Sequence, residues 1–309
     1  MSSRVLTSGS RTYEASVFSE ASLSPICDAI LPSMLMRRLH GILLTAFVAT
    51  VVLSGPVSAA VGMWSEGDRA RVRLLTGGLD ADGALTGAIE IELAPGWHTY
   101  WRTPGAAGIP PRSDFSMSGN VGDLTIRYPA PHRYDDGYAI SNVYQGRVVL
   151  PLVIDVGDVT RPVDLRLSLD IGVCHDVCIP AHFDVAVEAP PGATDAEAAR
   201  VITDAWTQVP GPPEPAVLAV AGLERTGGTD RRPEYAVTIV NADAGPVDVF
   251  VEGPADWYAG VPEPSGGGDG SVYSVAFDRL GAKTPIDQAR FVVTIVAGNR
   301  AIEQTVGPD

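Results

Sequence analysis

Cys174, His175 and Cys178 are the residues of this chain whose types and spacing could do chemistry. They lie in Asp170-Ile171-Gly172-Val173-Cys174-His175-Asp176-Val177-Cys178-Ile179-Pro180, with the two thiols four positions apart. A disulfide needs Cα atoms about 4.4–6.8 Å apart, which a tight loop between antiparallel strands supplies. A regular helix would also set i and i+4 on one face, but Gly172 and Pro180 oppose a helix here. Three chemistries compete for the pair. As a structural staple it does little, because a five-residue ring contributes about 2 kcal/mol against about 4.7 kcal/mol for a hundred-residue loop. As a redox couple it fits better, since short bonds at loop tips are reduced more easily and labile bonds are the regulatory or catalytic ones. As metal ligands, Cys174, His175 and Cys178 lack the second Cys/His pair of a tetrahedral zinc site. The two thiolates of Cys174 and Cys178 would suit Cu(I), which favours soft sulfur.

The flanking residues say what positions the thiols. Val163, Leu165, Leu167 and Leu169 alternate with Asp164, Arg166 and Ser168. This is the period of a half-buried strand. From His182 to Glu188 the alternation resumes, with Phe183, Val185 and Val187 apolar. Gly172 and Pro180 punctuate the connection. The pattern predicts a hairpin whose loop carries both cysteines.

Upstream, strands are predicted over Asp68–Thr76, Leu85–Leu93, Trp97–Arg102, Leu124–Tyr128 and Arg147–Val156. Pro151 within the last suggests an edge or a bulge. Pro104 to Pro111 and Pro129 to Gly137 read as irregular loops. Many short strands with turn signals between them indicate a β-sandwich. Thr194-Asp195-Ala196-Glu197 is a capping-box signature, followed by Val201, Ile202, Ala205 and Trp206 at helical spacing. That predicts one helix, packed between two domains. Pro210 to Pro215 reads as a stiff linker. Further strands are predicted over Ala216–Gly222, Tyr235–Val240, Val247–Glu252, Val272–Phe277, Phe291–Val296 and Ala301–Val306, with a flexible tip at Ser265–Gly270. This half contains no Cys and no His, and reads as a binding or spacer module.

The chain has 309 residues and a formal net charge of −15, with Lys283 as its single lysine. That charge argues against a nucleic-acid or anionic-membrane partner. Met36-Arg37-Arg38, the apolar run Ile42–Leu53 and the small residues Val57 to Ala60 read as a secretory signal with its cleavage site. The apolar run is short for a membrane span of about 20 residues. Residues 1–35 fit no targeting pattern and are expected to lie outside the working protein, with Met36 the natural start. Losing them removes Cys27 and leaves Cys174 and Cys178 as an even pair in an oxidising compartment. The expected layout is 1–35 extension, 36–60 signal, 63–190 redox domain, 194–209 helix, 210–215 linker and 216–309 second β-domain.

Gly96-Trp97-His98-Thr99-Tyr100-Trp101-Arg102-Thr103-Pro104-Gly105 resembles the early segment of the periplasmic N-terminal domain of the thiol:disulfide interchange proteins DsbD and ScsB. Tyr128-Pro129-Ala130-Pro131, Tyr144-Gln145-Gly146, Leu150-Pro151-Leu152 and Val173 to Pro180 are similar to that family in the same order. The resemblance covers Met63 to Ala189. It implies an immunoglobulin-like sandwich for that stretch; with the strands read beyond the linker, the expected fold is all-β, two immunoglobulin-like sandwiches joined by the helix and the Pro-rich linker. It also implies a cysteine pair that cycles between dithiol and disulfide, with no cofactor. Electrons would come from a membrane-bound thiol relay or a thioredoxin-like protein, and periplasmic disulfide proteins would accept them. The 309 residues hold neither that family's multi-span membrane module nor its thioredoxin-like domain with a Cys-x-x-Cys, so the relay is expected to need other proteins. The three-residue gap between the cysteines looks like the ScsB-like members.

By the same resemblance Cys178 exchanges with partners and Cys174 resolves. A covering loop corresponds to Tyr134-Asp135-Asp136-Gly137-Tyr138, with Tyr134 and Tyr138 packing over the bond and Gly137 permitting movement. Tyr100 and Trp101 match aromatics near the pair, or else belong to the core. His175, when protonated, would lower a thiol pKa, whereas Asp170 and Asp176 would raise it; a solvated loop residue is the competing reading of His175. Two other functions compete: a periplasmic copper-tolerance protein holding Cu(I) on Cys174 and Cys178, and a non-catalytic module with an inert bond.

Overall fold

The computed structural model describes residues 61–80, 82–105, 108–266 and 271–307. The N-terminal extension, the signal with its cleavage site, Cys27 and most of the Gly-rich tip lie outside them. Eleven strands and then a helix make the first part: β1 Ser65–Glu66, β2 Ala70–Leu79, β3 Leu85–Leu93, β4 His98–Gly105, β5 Arg112–Asp114, β6 Val121–Ile126, β7 His132–Asp135, β8 Ile140–Gln145, β9 Arg147–Val156, β10 Val163–Cys174, β11 Cys178–Ala189 and α1 Ala196–Trp206. One sheet runs β1-β2-β3-β9-β6 and the other β11-β10-β4-β8-β7, with β5 paired to β10. The alternating residues Val72, Leu74, Ile89, Ile91, Leu165, Leu167 and Val185 close a core between them. That is the two-sheet solution of an immunoglobulin-like sandwich.

Strands β12 Leu218–Gly228, β13 Pro233–Asn241, β14 Val247–Glu252, β15 Tyr258–Ala259, β16 Glu263–Pro264, β17 Val272–Asp278, β18 Phe291–Ala297 and β19 Arg300–Val306 follow. They form the sheets β12-β13-β17-β15, with β16 on β17, and β14-β18-β19. Tyr235, Trp257, Phe277 and Phe291 pack ring against ring inside them. No helix among the described residues is long and apolar enough to cross a membrane.

Several expectations are corrected. Pro151 is neither at an edge nor at a bulge: β9 lies between β3 and β6, and Pro151 pairs with Ala88. Its missing N–H falls just past the β6 ladder, which ends at Ile126 opposite Leu152, and its carbonyl accepts from Arg127 N instead. The segment around Pro129 to Gly137 is not all loop, because β7 and β8 form a hairpin there. Its polar residues His132, Arg133 and Asp135 hide the strand pattern, as an edge strand allows. The helix cap is Asp195, not Thr194: its carboxylate accepts from Glu197 N and Ala198 N. The helix does not pack between the sandwiches. Ala198, Val201, Ile202 and Ala205 cover Leu75, Ala88 and Val149 on the outer face of the first sheet. The Pro-rich segment is tied down, since Gly211 N donates to Ala301 O and Glu303 N to Gly211 O.

The second sandwich docks on the sheet that carries the cysteines. Phe250 of β14 enters the first core against Trp101, with ring centroids 5.7 Å apart. Arg102 of β4 donates to both carboxylate oxygens of Glu252, at 2.5–3.1 Å, and to Glu303. Burial opposes its charge, yet the two carboxylates together hold its pKa above the ordinary value. Arg133 of β7 donates to Val249 O and lies over the Phe250 ring. Replacing Arg102 with Ala strands Glu252 and is expected to lower the unfolding free energy by about 2 kcal/mol. Arg102→Lys recovers only part of this, because an ammonium cannot span both oxygens. Urea midpoints at constant slope measure both variants.

Candidate redox site

The hairpin runs further than its alternation shows. β10 and β11 pair without a break from Val163–Ala189 to Cys174–Cys178, leaving only His175, Asp176 and Val177 as the loop. Gly172 and Pro180 face each other inside the strands rather than ending them. Pro180 is tolerated because β11 is an edge strand and needs no N–H on its open side. Gly172 is favoured by close approach: a Cβ there would lie 3.2 Å from both the Tyr100 ring and Ile109, so either neighbour would have to give a few tenths of an ångström.

The sulfurs are bonded, with the Cα atoms 4.1 Å apart. Their surroundings differ sharply. Cys174 is 1% exposed, on a strand flanked by β4 and packed with Tyr100, Val143 and Tyr134. Cys178 opens the edge strand and is exposed. Beside it Val177 and Ile179 present apolar side chains to solvent. The site therefore occupies the outer face of its sheet, while Val173 and Ile171 serve the core on the other.

Strand β4 completes it. His98 pairs with Cys174 and Thr99 with Val173, and Thr99 Oγ1 donates to Gly172 O at 2.8 Å. Tyr100 Oη lies 3.2 Å from Cys178 Sγ. The sulfur of a disulfide has no proton, so the phenol is the donor. Burial, then Asp136 and Tyr134, push the Tyr100 pKa up, which keeps that proton in place. Trp101, the next residue, points to the opposite face and is core, 1% exposed.

The remaining predicted residues are divided. Tyr134 packs against the Cys174 cluster and its ring centroid is 4.5 Å from that of His98. Tyr138 does not cover the bond: it is 98% exposed. Between them Asp135 accepts from Gly137 N, and Asp136 accepts from Ala139 N and Tyr138 N. Those two bonds, Ala139 first, hold the Asp136 carboxyl below its usual range. Gly137 takes φ 85° to make the turn. His175 pairs with Asp176 at 3.1 Å and leans on the Trp97 ring. Asp170 accepts from His182 Nδ1 at 2.8 Å, and this bond raises the His182 pKa.

One site residue lies within the Gly96–Gly105 segment and two positions before Tyr100, with no role of its own in the sequence reading. His98 is 3% exposed and stands edge-to-face with Tyr100. Among the described residues its Nδ1 has no hydrogen-bond partner. Among the described residues no group of three or more His, Cys, Asp or Glu is placed to hold a metal ion.

No curated protein matches the sequence. Among solved structures, the N-terminal periplasmic domain of ScsB from Proteus mirabilis matches with a TM-score of 0.62 at 21% identity, over 81% of this chain and 99% of that one. The two share a fold. The Neisseria meningitidis DsbD n-terminal domain in its reduced form is also matched, at 14% identity over 45% of this chain and 92% of that one. Its TM-score of 0.24 carries no argument about the fold. The family model for "Thiol:disulfide interchange protein DsbD, N-terminal" matches residues 72–188, a stretch that runs from β2 through both cysteines to the end of β11. Over those residues the chain is similar to the DsbD N-terminal family, and the match supports a thiol–disulfide interchange module with a disulfide-forming cysteine pair.

Proposed function

We propose that this protein is a periplasmic thiol–disulfide exchange protein, with residues 63–190 as its redox domain and 216–309 as a second sandwich bracing it. The observation that carries the reading is the unequal exposure of the two bonded sulfurs, 1% for Cys174 against an open Cys178. An exchange centre needs one sulfur that a partner can reach and one that it cannot. An inert staple has no use for the difference. The electron donor is a membrane-bound thiol relay or a thioredoxin-like protein, and the acceptors are periplasmic disulfide proteins.

In the reduced protein the Cys178 thiolate attacks a partner disulfide. One partner sulfur leaves as thiolate and a mixed disulfide forms. Cys174, as thiolate, then attacks Cys178 Sγ, and the second partner sulfur leaves with the bonding electron pair. The protein is oxidised by two electrons and the partner, after taking up two protons, is a dithiol. Tyr100 Oη donates to the Cys178 thiolate and favours it. Tyr134 and the turn behind it shield Cys174. Val177 and Ile179 give a partner an apolar footing beside the reacting sulfur.

Equilibration with glutathione buffers should place the reduction potential above about −300 mV, whereas a lower value marks a structural bond and ends the proposal. Incubated with an oxidised thioredoxin-like protein, reduced Cys174→Ser should accumulate a mixed disulfide visible on non-reducing gels. Cys178→Ser should form it at least about tenfold more slowly, its remaining thiol being buried. Equal trapping by both variants would refute the assigned order. Tyr100→Phe should raise the Cys178 thiol pKa by about one, the worth of a hydrogen bond to a charged group. Thiolate absorbance against pH, read in Cys174→Ser, measures it.

A further inference from the structure

His98 is a buried polar group that neither the core nor the exchange steps above employ. Three observations define its position. It is directly opposite Cys174 in the β4–β10 pair. Such residues share a face with Cβ atoms about 4.5–5.5 Å apart. It is sealed in by Tyr134 at 4.5 Å and Tyr100 at 5.6 Å between ring centroids. Its Nδ1 is buried without a partner among the described residues in the oxidised protein. Buried polar atoms are nearly always hydrogen-bonded, so one left alone asks for a partner present in another state.

Reduction creates that partner. The Cys174 sulfur gains a proton at a position 1% exposed, where water cannot accept it. We propose that His98 Nδ1 accepts the Cys174 thiol proton, as a hydrogen bond in the dithiol form and as a full transfer when Cys174 resolves the mixed disulfide. The proposal rests on the exchange reading and names the base it needs. In the resolving step the proton passes from Cys174 Sγ to His98 Nδ1. The sulfur's electron pair forms the bond to Cys178 Sγ, and the Cys178–partner bond breaks toward the partner sulfur. The imidazolium then returns its proton to that leaving thiolate or to solvent.

The surroundings suit an acceptor. Tyr100 on the same strand, Tyr134 on β7, Cys174 on β10, His175 in the hairpin loop and Asp136 in the β7–β8 turn are the titratable groups that face it. Burial, then His175, hold the His98 pKa below its ordinary value against a weaker pull from Asp136. The resting ring is neutral, and with its proton on Nε2 it offers Nδ1 as a lone pair.

The test uses the whole reduced protein and an excess of dithiobis(nitrobenzoate), whose coloured thiolate is released once on attack by Cys178 and again on resolution by Cys174. Wild type should show two phases. In His98→Phe the second phase should slow about tenfold or more at pH 7, with the first unchanged. As the pH rises past about 9 the gap should narrow, because the buried thiol, whose pKa lies above the ordinary value of about 8.5, then ionises unaided. The dithiol–disulfide equilibrium of His98→Phe should shift about tenfold toward the disulfide, about 30 mV for a two-electron couple. His98→Asn, which keeps an acceptor without a base, should restore the equilibrium but not the rate. A second phase at wild-type speed in His98→Phe, or one slowed equally at every pH, overturns the proposal. A wild-type protein that releases no second thiolate sinks the exchange reading itself, and the two failures are told apart.

Discussion

Everything at this site follows from the register of one strand. β10 is held on one side by β11 and on the other by β4, and a single position on it, Cys174, meets Cys178 across one ladder and His98 across the other. A slip of β10 by one residue would turn Cys174 to the face opposite Cys178 and His98. The apolar residues of β10 forbid that slip, because Leu165, Leu167, Leu169, Ile171 and Val173 are committed to the core. Packing on the inner face thereby fixes the chemistry on the outer one.

The same alternation explains why neighbours in the sequence part company. On β4, Tyr100 turns outward to the sulfur, whereas Trp101 turns inward to Phe250 of the second sandwich. Arg102 then reaches across to Glu252 and Glu303. One short strand thus carries the redox contacts, a core anchor and the tie to the second sandwich on three successive residues. The second sandwich brings no thiol and no imidazole of its own. Its visible contribution is to hold β4 and β7, the strands that supply Tyr100, His98 and Tyr134, by ion pairs and a buried ring rather than by a flexible tether.

How much of this the chain displays in advance depends on whether burial leaves a period. Leu85–Leu93, Arg147–Val156 and Val247–Glu252 alternate or run apolar, and their bounds read directly from the residues. β7 and β8 do not, because one is a polar edge and the pair spends its side chains on the site and on the neighbouring sandwich. Gly172 and Pro180 look like loop residues because local conformation argues that way; tertiary contact with Tyr100 and an open strand edge decide otherwise. The cysteines themselves are legible from type and spacing. Their unequal exposure is not, since it arises from one belonging to an interior strand and the other to an edge. His98 is harder still, because a histidine between aromatics looks the same whether it serves the core or a thiol.

A bond that opens in the proposed exchange cannot also be what holds the structure together. Here it need not be. Twelve paired positions align β10 with β11, and β5 and β4 grip β10 from its other side. A ring of five residues restricts the unfolded chain by only about 2 kcal/mol in the chain-entropy model. The hairpin therefore keeps its shape when the sulfurs separate. In the exchange proposed above, opening the bond need alter only the two thiols, the imidazole opposite one and the phenol against the other. That locality would let a sandwich held by its ladders pass electrons without unfolding, with the potential set by these four side chains rather than by a moving domain.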